Sequence, residues 1–207
     1  FLRTRAGSVD DLTNDTSIHF FGVNVSCAQC HDHPLADDWK QDHYFGMQPF
    51  FSRTYVTKSK MVAEKFYGDV KFKTTKGVEK QARFMFLNGS VAAEPEKKLS
   101  DDERKKLDAE VKKLQKDDKA KPRKPEFSPR SELVKLALNE EGASFFARNI
   151  ANRLWNRMFG QGIVNPPDQI HSGNPASHPE LLDWLARDLR IHGYDLKRLL
   201  RGIALSK

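Results

Sequence analysis

The chain has 207 residues, 38% of them hydrophobic, with a formal net charge of +7. This length buries one ordinary core or two small ones, and no apolar run approaches the roughly 20 residues that a membrane-spanning helix requires, so a globular fold without a membrane span is expected. The basic balance does not point to nucleic acid: lysines alternate closely with Asp and Glu over residues 94–124, and no aromatic and basic residues interleave as base-stacking surfaces do.

Residues 1–5 lack the apolar core of a signal peptide and read as the interior of a longer chain, while the last residues stop inside a helical pattern; a fragment is expected. The first recognisable element is Phe20-Phe21-Gly22-Val23-Asn24-Val25, which reads as a buried strand. It leads into Cys27-Ala28-Gln29-Cys30-His31, and these are the only two cysteines of the chain. Two thiols separated by two residues can add across the two vinyl groups of one porphyrin, and a histidine directly after the second lies beneath the iron as proximal ligand. Three other readings stay open. A dithiol redox site would want a long helix next, but Pro34 arrives first. Zinc could use Cys27, Cys30, His31 and His33, although four ligands within seven residues leave no second half-site. A disulfide across so short a loop gains little entropy and does not call for the histidine.

Trp39, Tyr44, Phe45, Met47, Phe50 and Phe51 follow closely and suit either a porphyrin wall or a small aromatic core. Apolar alternation over residues 67–73 and 82–86 around Lys76-Gly77 predicts a hairpin or small sheet. Ser100 and Glu103 have the spacing of a capping box and open a charged helix with a thin stripe of Leu99, Leu107, Val111 and Leu114. Two prolines within residues 121–125 then end it in a linker.

The remainder reads as helical. Phe146, Ala147, Ile150, Ala151, Leu154, Trp155 and Met158 recur at three and four residues and close at Gly160. A second capping-box spacing, Ser177-His178-Pro179-Glu180, introduces a helix with Leu181, Leu182, Leu185 and Leu189 on one face and Trp184 beside them; a last helix starts near Asp195. Gly160-Gln161-Gly162 lacks a third glycine and precedes two prolines, which rules out a dinucleotide loop.

Residues 21–34, with Trp39, Gln41, Asp42 and Phe50-Phe51, resemble the haem-motif region of the planctomycete-specific cytochrome-like proteins. Their companion domain resembles the tail, through Asn152-Arg153-Leu154-Trp155, Phe159-Gly160, Gly162-Ile163-Val164, Asn174-Pro175, residues 177–186 and residues 192–200. The resemblance implies a haem segment over residues 1–54 and a helical companion domain over residues 129–207. Between them the sequence reads as a small β insertion over residues 55–92, then a charged helix and Pro/Lys linker over residues 93–128. The expected fold is mainly α with a small β insertion, the c-type haem segment packing against the C-terminal helical domain.

Covalent haem c on Cys27, Cys30 and His31 is therefore the expected cofactor. His33 should lie on the proximal side and hydrogen-bond locally. The sixth iron position falls to Met47, His43 or His178. His178 leads, because the positive end of a helix dipole keeps its imidazole neutral and so able to ligate. Of Arg148, Arg153 and Arg157 on the long helix, Arg153 is the candidate to neutralise a propionate. Asp32, Asp37, Asp38 and Asp42 suit exposed loop charges better than an acid and base pair. The function expected is an exported monohaem protein passing electrons to a redox partner protein. The rivals are a haem enzyme with an open distal face, of peroxidase or oxidase type and linked to polysaccharide breakdown by the resemblance, and a non-catalytic haem- or metal-stapled interaction module.

Overall fold

A computed structural model describes residues 1–34, 36–96, 99–139 and 143–206, and it is mainly helical with three small two-stranded sheets. The N-terminal part holds α1 (Leu2–Arg5), α2 (Val9–Phe21), a short 3-10 turn over Ser26–Gln29, α3 (Gln41–Met47) and α4 (Pro49–Ser52). Ser8 caps α2 by accepting a hydrogen bond from the Asp11 N–H, and Gly22, at φ 69°, closes it in the left-handed region. This overturns the strand expected at residues 20–25: Phe20 and Phe21 are the last turn of α2, and Val23 keeps only an isolated antiparallel bridge to Gln169. Burial produced the strand-like pattern, since Phe21, Val23 and Val25 all point into the core.

Three antiparallel hairpins follow. Strands β1 (Thr54–Val56) and β2 (Val62–Glu64) pair with Tyr55 opposite Ala63. Strands β3 (Lys71–Lys73) and β4 (Glu79–Gln81) form the hairpin expected around Lys76-Gly77, with Phe72 opposite Lys80. Ala82 continues it through its N–H to the Val70 carbonyl, but the remaining residues of the expected second strand, 83–86, do not belong to it. Phe84 and Met85 form β5 (Phe84–Met85), which pairs instead with β6 (Val91–Ala92) across a turn at Gly89, φ 85°.

Helix α5 (Asp101–Lys116) has the reciprocal Ser100 and Glu103 capping bonds and buries little beyond Leu114, which packs on Tyr55 and Ala63. The segment after it turns back along α5: Arg123 makes two hydrogen bonds to Glu110, at 2.9 and 2.5 Å, and lies over the Phe66 ring. Helix α6 (Pro129–Leu138) begins on a buried carboxylate, because Glu64 accepts from the Ser128 hydroxyl and the Arg130 N–H and pairs with the Arg130 guanidinium at 3.0 Å. The chain ends in α7 (Ala143–Phe159), α8 (Pro179–Ile191) and α9 (Leu196–Leu205). Their buried side chains, among them Ala151, Leu182, Leu185, Leu189, Leu199 and Ile203, form a second core beside that of the N-terminal part. Trp184 stands outside it, 62% exposed.

The two halves meet where α2 ends. A Cβ at Gly22 would lie 2.7 Å from both Asn149 Oδ1 and Ile170 Cδ1, besides requiring positive φ. Gly22→Ala is therefore expected to lower stability by about 2 kcal/mol or more in urea unfolding. Gly7→Ala, where an added Cβ meets nothing within 4 Å, should stay within about 0.5 kcal/mol of the parent.

Candidate functional site

The Cys27 to His31 loop is set by short-range bonds on one side and one buried amide on the other. Asn24 Oδ1 accepts from both the N–H and the hydroxyl of Ser26, which starts the 3-10 turn. Within the loop, the N–H groups of Cys30 and His31 both bond the Cys27 carbonyl. From the start of α3, Gln41 Nε2 donates to the carbonyls of Gln29 and Cys30 at 3.4 and 3.2 Å, while its Oε1 accepts from the Thr75 N–H at 3.0 Å. Gln41 is buried, so these bonds are shielded from water and hold the loop between α3 and the β3–β4 hairpin.

Both cysteines are exposed free thiols. His31 is exposed as well, with Nδ1 2.7 Å from the Asp32 carbonyl oxygen. A carbonyl can only accept, so Nδ1 is the donor, and in the neutral ring this places the lone pair on Nε2. Metal-ligating histidines are oriented by bonds of this kind. The donor set thus fits a covalently attached haem, which brings four ring nitrogens of its own and asks the protein for two thiols and one imidazole. Among the described residues no group of three or more His, Cys, Asp or Glu side chains gathers as a bare-ion site. Nor does a helix follow Cys30 until α3 begins at Gln41, unlike the arrangement a dithiol enzyme requires.

The other candidates fall in different places. His33 is buried, its ring centroid 5.9 Å from that of His171; burial, then the neighbouring His171 and His31, hold its imidazole below the usual range. Met47 has no exposure and belongs to the aromatic core with Tyr44 and Phe50, so the cluster after the motif is packed protein interior. His43 Nδ1 accepts from the Lys40 N–H, and burial pushes that imidazole down too. His178 is exposed and is the N-cap residue of α8, without a side-chain cap bond. The capping box expected at residues 177–180 does not form, because the Ser177 hydroxyl donates to the Ile163 carbonyl. Arg153 binds the chain itself: its Nε donates to Asn149 Oδ1 and a terminal nitrogen to the Ile18 carbonyl at the end of α2. Arg148 lies one turn earlier and reaches Asp183, while Arg157 is exposed.

Sequence reading missed Gln41 as the loop's anchor and His171 as the neighbour of His33. Gln41 was visible only as a matched position of the resemblance. No local pattern marks His171, which the fold brings from a loop well over a hundred residues away. That loop is fixed to the motif segment by Asp38, whose Oδ2 accepts from the Ser172 N–H at 2.7 Å.

The architecture is that of a helical protein presenting a CxxCH loop against a C-terminal helical unit. Residues 2–56 match the family PSCyt2, described as a protein of unknown function (DUF1549), and residues 129–207 match PSD1, also a protein of unknown function (DUF1553). These matches support the planctomycete-type cytochrome-like proteins and their companion domain as the chain's relatives. No curated protein and no solved structure matches the chain. No helix among the described residues is long and apolar enough to cross a membrane.

Burial pushes the Asp38 carboxyl up, but hydrogen bonds from Ser172 and the nearby His171 outweigh it and hold the group below its ordinary value. A depressed carboxyl stabilises the fold above its unfolded pKa, and the contribution is lost as pH falls through the folded value. Asp38→Asn should therefore cost about 1 kcal/mol near pH 7, with the difference from the parent shrinking as pH falls below the ordinary carboxyl range, by urea unfolding across an acid pH series.

Proposed function

We propose that the chain is a haem c protein, exported from the cell, that passes single electrons to a partner protein. The observation carrying this reading is the pairing of two exposed thiols with an imidazole whose Nδ1 is tied to the Asp32 carbonyl. In it, Cys27 and Cys30 hold the porphyrin by thioether bonds and His31 Nε2 ligates the iron. Bound haem supplies the one-electron step, and the protein supplies placement and tuning. Gln41 keeps the two cysteine positions fixed, and the Asp32 carbonyl strengthens His31 as a donor. Arg153 is engaged with Asn149 through Nε and with the end of α2 through one terminal nitrogen, and its other terminal nitrogen is the group this reading offers to a propionate. With Met47 packed in the core and His43 Nδ1 engaged, His178 is the second ligand proposed.

Intact-mass measurement after expression with a c-type maturation system tests the attachment: the parent chain should gain one porphyrin, and Cys27→Ala with Cys30→Ala should gain none. An unmodified parent chain with a 27–30 disulfide or a bound ion would sink the reading and leave the interaction module. The absorption spectrum tests the ligand. A low-spin parent that turns high-spin in His178→Ala supports the His31 and His178 pair. A parent already high-spin and responsive to cyanide favours the second reading, a haem enzyme with an open distal face. That reading gains support from the burial of Met47, which removes the sulfur ligand.

A further inference from the structure

Positive charge is spread unevenly over the chain. Helix α5 and the turn after it, residues 101–118, carry six basic and seven acidic side chains, whereas residues 71–80 carry four lysines and one carboxylate. This second stretch holds β3, its turn and most of β4, and all of it except Phe72 and Thr74 is exposed. Lys71 faces Glu79 at 3.6 Å, and Lys80 binds both carboxylate oxygens of Asp42, at 3.2 and 3.0 Å. Lys73 and Lys76, together with Lys40 just before α3, have no ion-pair partner among the described residues. Lys40, Lys76 and Lys80 line one cleft of about 300 Å³ with Asp32 and Asp42. Of those two acids, Asp42 is held by Lys80 and Asp32 accepts from the Gln41 N–H, so the charge left over in the cleft is positive.

The hairpin is fixed directly against the Cys27 to His31 loop. Its Thr75 N–H bonds Gln41 Oε1, and Gln41 Nε2 bonds the carbonyls of Gln29 and Cys30, so one side chain separates the hairpin tip from the cysteine backbone. The tip is itself stiff: the Gly77 N–H, at φ 79°, donates to the Thr74 carbonyl and the Val78 N–H to the Thr74 hydroxyl. On the inner face Phe72 stacks on Phe45 at 4.2 Å. Val78, 56% exposed, adds an apolar contact among the lysines. A rigid surface with an apolar centre and a charged rim loses little order on binding. Unpaired charges of one sign act beyond contact distance and steer an oppositely charged surface into register.

We propose that the β3–β4 hairpin and Lys40 form a docking face for an acidic protein surface, that of the redox partner, and bring it beside the cysteine loop. The partner's recognisable chemistry is a cluster of Asp and Glu side chains. Its identity as a redox partner rests on the electron-transfer reading above, while the face itself rests on the unpaired lysines and their rigid support.

The test uses the 207-residue chain as purified after expression with a c-type maturation system, its intact mass reporting the porphyrin separately. Binding of a fluorescein-labelled oligoglutamate peptide is followed by anisotropy, with a glycine-serine peptide of equal length as control. The oligoglutamate alone should bind, and more weakly as sodium chloride rises. The triple variant Lys40→Gln, Lys73→Gln, Lys76→Gln should bind it about tenfold more weakly at low salt. Lys112→Gln, Lys113→Gln, Lys116→Gln removes the same charge from exposed positions of α5 and should stay within about twofold of the parent. The reduced haem-loaded chain, giving one electron to ferricyanide to form ferrocyanide, should follow the same order, its rate falling with salt and in the hairpin variant only. Hairpin-dependent binding by a chain without porphyrin upholds the face and sinks the haem reading; a haem-loaded chain indifferent to oligoglutamate does the reverse. Equal weakening by both triple variants, or a ferricyanide rate that the hairpin variant leaves unchanged, would overturn the docking face and leave its lysines as guards of an exposed strand edge.

Discussion

Everything in the molecule hangs on how the carbonyl end of α2 is finished. The last carbonyls of a helix lack full intrahelical bonding, and here two are met by side chains of α7: Asn149 Nδ2 donates to the His19 carbonyl at 2.8 Å, and Arg153 at 2.7 Å to that of Ile18, which also accepts from the Gly22 N–H. Gly22 then turns the chain, and its own carbonyl accepts from the Ile170 N–H. The bridge between Val23 and Gln169 continues the contact by one residue. The backbone therefore leaves α2 in a direction set by the C-terminal half, and Cys27 follows five residues later. One turn of helix thus couples the companion segment to the position of the thiols.

This coupling explains why the sequence was legible in parts only. Helix α7 declared itself because its apolar residues recur at helical spacing, and α5 because Ser100 and Glu103 cap it reciprocally. Helix α2 was silent. Its buried face carries Thr13, Thr16 and Ser17 beside Leu12 and Phe21, and hydroxyls on the inner face erase the hydrophobic period. The Thr13 hydroxyl is satisfied within the helix by the Val9 carbonyl, so its burial costs little. What remained visible was Phe20 to Val25, apolar and short, for which periodicity cannot separate a strand from the last turn of a buried helix.

The site divides in the same way. Cys27, Cys30 and His31 are neighbours in sequence, so their relation survives any folding. Gln41 meets Thr75, Asn149 meets the end of α2 and His171 meets His33 only through tertiary structure, and none of these contacts carries a local signature. Arg153 is the instructive case. An arginine on the edge of an apolar helical face looks the same in sequence whether it meets a propionate or a carbonyl, and Asn149 one turn earlier is its companion in binding the end of α2. Asn152 does comparable work at the other end, gripping both the N–H and the carbonyl of Val164 at 2.9 and 2.8 Å. The Asn-Arg pair thus meets two backbone ends that need binding.

The segment between the two family matches is more than a spacer, because it touches both. Phe72 stacks on Phe45 of α3 at 4.2 Å, Lys80 pairs with Asp42, and the Thr75 N–H completes Gln41, the residue that holds the cysteine loop. On its other side Glu64 receives the start of α6, a buried carboxylate whose partners Ser128 and Arg130 open the C-terminal match. Leaving either end unpaired would strand a buried polar group, which is costlier than the loss of an exposed ion pair such as Lys80 with Asp42. The inserted hairpins therefore fix the far side of the thiol loop while α7 fixes the near side. A loop held from both sides presents its two thiols and His31 in one geometry, and pre-set geometry is what attachment of a rigid planar group at three points requires.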